Sequence, residues 1–192
     1  MMKRNPRIPL IHNMEFMNTT ESRMEIDTVF SRIEGFLKQE PHANYNLIIG
    51  TDGHVHRGFT KMITGIIIRR ENRGAWACYR QVIIPREITS VRDKLSTETS
   101  LSEEIACYFD EQKRGQLEDI LLPYVYHGAA LDHFIHIDAG RDKSVSKTAL
   151  YVSEMVDRVE SLGWLPVIKP DSYGASSYAD RFSKSNKIPL IF

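Results

Sequence analysis

Four acidic positions stand out among the 25 Asp and Glu residues because of where they fall. Asp52 closes the apolar run Leu47-Ile48-Ile49-Gly50-Thr51, and Asp138 closes another, Phe134-Ile135-His136-Ile137. Runs this apolar belong to central strands of a sheet, so the two aspartates are expected to emerge side by side where central strands end. Asp-Gly and Asp-Ala-Gly are also ordinary turn sequences, and a turn cap is the competing role for either one alone. Glu98 lies in a helical pattern. At about 100° per residue, Val91, Leu95, Ser102, Ile105 and Phe109 share one stripe with Glu98 at its centre. A carboxylate on a buried helix face is costly unless it is paired or bound to a metal. A salt bridge to an arginine is the plain alternative. Glu103 and Glu104 point away from the stripe, toward an expected solvated face. The fourth position comes late: Asp171 in Lys169-Pro170-Asp171-Ser172 can cap a helix, and Asp180 falls inside that helix, where Arg181 and Lys184 suit a surface ion pair.

Other polar groups surround these acids. His54-x-His56 places two imidazoles on one face of an extended segment, as zinc ligands or as substrate-facing side chains. Barrel hydrolases with such a motif need about 250 residues, and the chain has 192. His136 shares a strand face with Asp138, which suits a hydrogen bond to a site residue or a satisfied core histidine. Gly140 to Thr148 resembles a phosphate loop only superficially, because Val145 and Ser146 stand where that motif needs Gly and Lys. Arg141, Lys143 and Lys147 follow Asp138 directly and are candidate phosphate contacts, with Lys169 a further one.

The elements that must position these groups are legible from periodicity. Residues 1–18, with Pro6 and Pro9, are expected to be an irregular arm, and residues 19–192 one domain. Thr19 and Thr20 are candidate caps of a helix whose apolar positions, Val29, Phe30, Ile33, Phe36 and Leu37, run to Gln39. Strands are expected at Asn46–Asp52, Phe59–Arg69 and Ala75–Ile84, and short connections make them an antiparallel meander. One long helix follows from Ser90 to about Lys113, stopped by Gly115, with a short helix at Leu117–Leu122. A strand at His133–Asp138, a helix at Lys147–Leu162, a strand at Leu165–Lys169 and a helix at Tyr173–Lys184 complete the order α, β-β-β, α, β, α, β, α.

Composition narrows the classes. Lys+Arg and Asp+Glu number 25 each, so no bulk charge holds a polyanion, and any contact must come from a local basic patch. Two cysteines, Cys78 and Cys107, rule out a four-cysteine zinc site and suit a reduced cytoplasm. No apolar stretch reaches the roughly 18 residues of a membrane span, so no membrane partner is expected.

With these acids on this order of elements, the sequence resembles the ribonuclease H-like fold, and more closely the YkuK-type family of ribonuclease H-like proteins. The resemblance rests on Ile49-Gly50-Thr51-Asp52, Glu98 through Ala106, His136-Ile137-Asp138, and Ile168-Lys169-Pro170-Asp171-Ser172 through Ala179-Asp180-Arg181, and covers residues 20–187. Gly53-His54 departs from the Ser-Gln pair expected there. The resemblance implies an α/β mixed sheet with antiparallel first strands, an extra N-terminal helix, and a site in which Asp52, Glu98, Asp138 and Asp180 hold Mg²⁺ or Mn²⁺, with Asp171 as substitute for Asp180. Hard divalent cations prefer carboxylate oxygens, and two of them about 4 Å apart can cleave a phosphodiester of RNA, DNA or a hybrid. A non-catalytic binding module is the main alternative. An actin-like nucleotide-binding relative is the weaker one, since that architecture needs two such domains. If the acids repel without metal, Asp138→Asn is expected to leave the protein as stable or more so.

Overall fold

The computed structural model describes residues 15–140, 148–172, 178, 179 and 181. Helix α1 (Ile26–Gln39) precedes strands β1 (Asn44–His56), β2 (Phe59–Arg70) and β3 (Ala75–Ile84). Helices α2 (Val91–Tyr108) and α3 (Glu111–Leu121) lead through a 3-10 turn at Leu122–His127 to β4 (Ala130–Gly140). Helix α4 (Val152–Ser161) and β5 (Leu165–Lys169) follow. The strands make one mixed sheet in the order β3-β2-β1-β4-β5, with β1–β2 and β2–β3 antiparallel and β1–β4 and β4–β5 parallel. This is the expected meander extended by two parallel strands. The apolar run of β1 places it at the centre of the sheet.

Strand alternation divides the packing. Leu47, Ile49, Met62, Ile66, Ile68, Ile135 and Ile137 face one side, where they meet Val29, Ile33 and Leu37 of α1, Leu95 and Ile105 of α2, and Met155 and Val159 of α4. Ile48 and Ile67 face the other side, against Ala77, Phe134 and Tyr178.

Several boundaries differ from the sequence expectation. Helix α1 starts at Ile26, not at Thr19 or Thr20, because residues 16–24 close a small loop: Phe16 and Met24 bridge each other, Met17 bridges Tyr79 of β3, and Phe16 is fully buried. The arm boundary set at residue 18 therefore falls within that loop. The expected long helix breaks after Tyr108, where Phe109 turns into the core and the Asp110 side chain accepts from the Lys113 N–H, capping α3. Gly115 lies inside α3 and stops nothing. Helix α4 begins at Val152 instead of Lys147. The final helix expected at Tyr173–Lys184 lies mostly outside the described residues, of which Tyr178, Ala179 and Arg181 are helical.

Candidate functional site

The β1–β4 pairing is the frame of the site. It runs from Asn44↔Ala130 to Gly50↔His136 and then ends, while β1 continues to His56 beside β2 and β4 continues to Gly140. The two strands fork. Asp52 and Asp138 each stand two residues past the last shared pair, so they occupy matching places on the two arms of the fork. Neither closes its strand as the apolar runs suggested, but both emerge where two central strands separate, which is where open sheets with parallel strands present binding groups.

Helix α2 brings Glu98 to the same place. Ser90 starts this helix by accepting from the Asp93 N–H, and Leu95, Leu101 and Ile105 anchor it on the sheet. Two contacts fix its register over β1. The Thr51 hydroxyl is 2.8 Å from that of Ser102 and 2.9 Å from that of Thr64, and the Gly53 N–H donates to Glu98 Oε1 at 2.8 Å. A Cβ on Gly53 would lie 2.4 Å from Met62 Sδ and 3.0 Å from Glu98 Oε1, so any larger residue would force these two side chains to shift.

Glu98 is 5% exposed, as its stripe position implied, but its partner is a lysine, not an arginine: Lys94 Nζ lies 3.0 Å from Oε1, one helical turn earlier. Burial is the largest influence on Glu98 and, with Asp52 and Asp138 adding to it against Lys94, pushes its carboxyl up to about 7. Burial works against the Lys94 charge, yet Glu98, Asp52 and Asp138 together hold its pKa above the ordinary value. Asp52 of β1 and Asp138 of β4 thus act on Glu98 of α2 and on one ammonium group. Asp138 has a second cation, Lys169 Nζ at 2.9 Å.

Other candidates are placed as follows. His54 is exposed on the β1–β2 hairpin, and Lys169 is half exposed beside Asp138. Asp171 is exposed and lines another cleft, of about 420 Å³, with Asn46, Ile48, Phe134 and His136. Asp180, Arg141, Lys143 and Lys147 lie outside the described residues. His136 is a buried histidine whose ring, pushed down to about 4 chiefly by burial, hydrogen-bonds to the Ser172 backbone. Glu103 and Glu104 are not the solvated face expected of them: Glu103 pairs with Arg158 of α4, and Glu104 pairs at 2.6 Å with the buried Arg80 of β3. Lys94 was missed in the sequence, although its spacing of four residues before Glu98 on a helix is the signal for such a pair.

The donor set suits a hard divalent cation in kind, since its oxygens are carboxylate and their mutual repulsion is what such an ion relieves. Among the described residues, no three His, Cys, Asp or Glu side chains close on a common point that would enclose an ion. Among the same residues, no helix is long and apolar enough to cross a membrane.

Comparison with known proteins agrees with this architecture. The family model described as Ribonuclease H-like matches residues 28–184. The chain belongs to the ribonuclease H-like family. It is 39% identical over 169 residues to a protein of Bacillus subtilis (strain 168) named "Uncharacterized protein YkuK", covering 88% of this chain and 96% of the relative, so it falls in the YkuK-type branch. No solved structure matches the chain.

Proposed function

We propose that this protein is a cytoplasmic, divalent-metal-dependent phosphodiester hydrolase acting on RNA, DNA or a hybrid, with Asp52, Glu98 and Asp138 as its catalytic carboxylates and Asp180 as the fourth. The observation that carries the reading is the electrostatic convergence of three carboxylates from separate elements at the β1–β4 fork. Bound Mg²⁺ or Mn²⁺, two ions in this reading, would supply an activated water and neutralise charge on the departing oxygen. The chain's own groups prepare that chemistry. The Gly53 N–H holds one Glu98 oxygen in place, and the Thr51–Ser102 contact ties the helix to the strand that carries Asp52. Lys94 balances charge among the three acids. Lys169, half exposed at Asp138, is placed to meet a substrate phosphate at the rim, with Arg141, Lys143 and Lys147 proposed to extend that contact.

The pairing of Glu98 and Asp138 with lysines favours a second reading, a binding module in which those ammonium groups replace metal. Mn²⁺ titration followed by electron paramagnetic resonance separates the two. The hydrolase reading expects saturable Mn²⁺ binding that is lost in Asp52→Asn and Asp138→Asn. Absence of binding in the wild type, or binding unchanged in both variants, contradicts it.

A further inference from the structure

The hairpin joining β1 and β2 continues past the fork through the pairs Gly53↔Met62, His54↔Lys61, Val55↔Thr60 and His56↔Phe59. Alternation puts Asp52, His54 and His56 on one face of β1, with His54 and His56 about 7 and 13 Å along the strand from Asp52. Phe59, directly opposite His56, lies on the same face. The three rings form a ladder. The His54 and His56 centroids are 4.8 Å apart, and Phe59 stacks on His56 at 4.7 Å with the planes 17° apart. The tip is pinned by Gly58, which takes a φ of +83° and donates its N–H to Glu87 Oε1 at 2.8 Å. His54 and Arg57 are exposed, His56 and Phe59 half-buried, and none of the three rings belongs to either apolar cluster of the described residues. Among the described residues, the ladder thus stands at the hairpin tip outside both apolar clusters.

We propose that the His54–His56–Phe59 ladder is a nucleobase-stacking platform that binds single-stranded nucleic acid beside the carboxylate fork. Flat side chains beside an exposed cation, here Arg57 at the turn, hold unpaired strands without reading sequence, because every base has a face to stack. Duplex bases are already stacked on one another and offer no such face. The zero net charge gives this platform its importance, since stacking supplies affinity that bulk phosphate attraction cannot supply in this chain. A zinc site on the two histidines has no third His, Cys, Asp or Glu ligand among the described residues. The direction of the strand, toward Asp52, rests on the hydrolase reading; the binding itself does not.

The test is fluorescence anisotropy of the full chain with labelled single strands of about 10 nucleotides, in EDTA, against a duplex and against an abasic strand with the same phosphates. The platform predicts binding to base-bearing single strands that is weaker for both the duplex and the abasic strand. His56→Ala and Phe59→Ala should each lose about 5- to 100-fold in affinity for base-bearing strands and nothing for the abasic one. His56→Phe, which keeps a flat ring, should bind as wild type and so separates lost stacking from a loosened hairpin. Equal binding of abasic and base-bearing strands, or alanine variants that bind like wild type, overturns the proposal. Base-dependent binding without metal-dependent cleavage would support the platform and sink the hydrolase; cleavage with base-independent binding would do the reverse.

Discussion

Replacing Glu98 by Gln gives the sharpest physical test of the buried acid. A carboxyl with an unfolded value near 4.5 and a folded value raised to about 7 holds its proton longer in the folded state. Between those values the native state binds more protons than the unfolded one, so the contribution of Glu98 to stability is lost as pH rises. At about 1.4 kcal/mol per unit, the loss from pH 5 to pH 8 is about 2–3 kcal/mol. Gln keeps an oxygen for the Gly53 N–H but cannot ionise. Two buried histidines act in the opposite sense. His133 and His136, both pushed down to about 4 chiefly by burial, favour the native state above pH 6.5 and withdraw that support as pH falls toward 4. Their effects are common to wild type and variant, so the difference between the two isolates Glu98. Urea unfolding in EDTA at half-unit steps should show Glu98→Gln gaining about 2–3 kcal/mol on the wild type from pH 5 to pH 8. Parallel profiles would mean that Glu98 ionises freely, and the account of a buried, mutually repelling set would fail.

Gly53→Ala drives a methyl into Met62 and Glu98 and should cost about 1–3 kcal/mol in urea unfolding; an unchanged midpoint would show that the helix does not press on this strand. Glu104→Ala leaves the buried Arg80 without its carboxylate and should cost about 3 kcal/mol, against almost nothing for a solvated residue. His133→Phe fills the same pocket edge-on to Trp164, 5.4 Å away, and should remove up to about 3 kcal/mol of the stability lost between pH 6.5 and 4. An acid limb as steep as that of the wild type would refute it. Asp138→Asn loses a pair with the half-exposed Lys169, so a thermal melt should show a cost below about 1 kcal/mol instead of the gain that repulsion alone implies. A clear stabilisation would restore the simpler picture.

The sheet was legible in the sequence because its signals are strong and local. β-Branched runs bounded by short turns define β1 to β3, and period-3.6 stripes define α1, α2 and α4. Its boundaries were less so, because tertiary contacts set them. Met17 bridges Tyr79 of β3, far away in sequence, and Phe109 breaks a helix by entering a core that periodicity alone does not locate. The acids follow the same division. Apolar flanks marked Asp52 and Asp138, and helical phase marked the burial of Glu98. The partners of Glu103 and Glu104 sit on α4 and β3, beyond any local pattern, so exposure was the wrong inference for both. The fork itself needs the register of β1 against β4, which one sequence does not contain.

Cleavage of labelled single-stranded RNA and DNA by wild type and Asp52→Asn, purified in parallel and assayed with Mg²⁺, Mn²⁺ and EDTA, decides whether the acids at the fork carry out hydrolysis. A hydrolase should show metal-dependent cleavage by the wild type, absent in EDTA and reduced by at least about 100-fold in the variant, a loss on the scale of removing one transition-state-stabilising group. A folded wild type that cleaves neither strand with either metal, or an Asp52→Asn variant that cleaves as fast as the wild type, would contradict it.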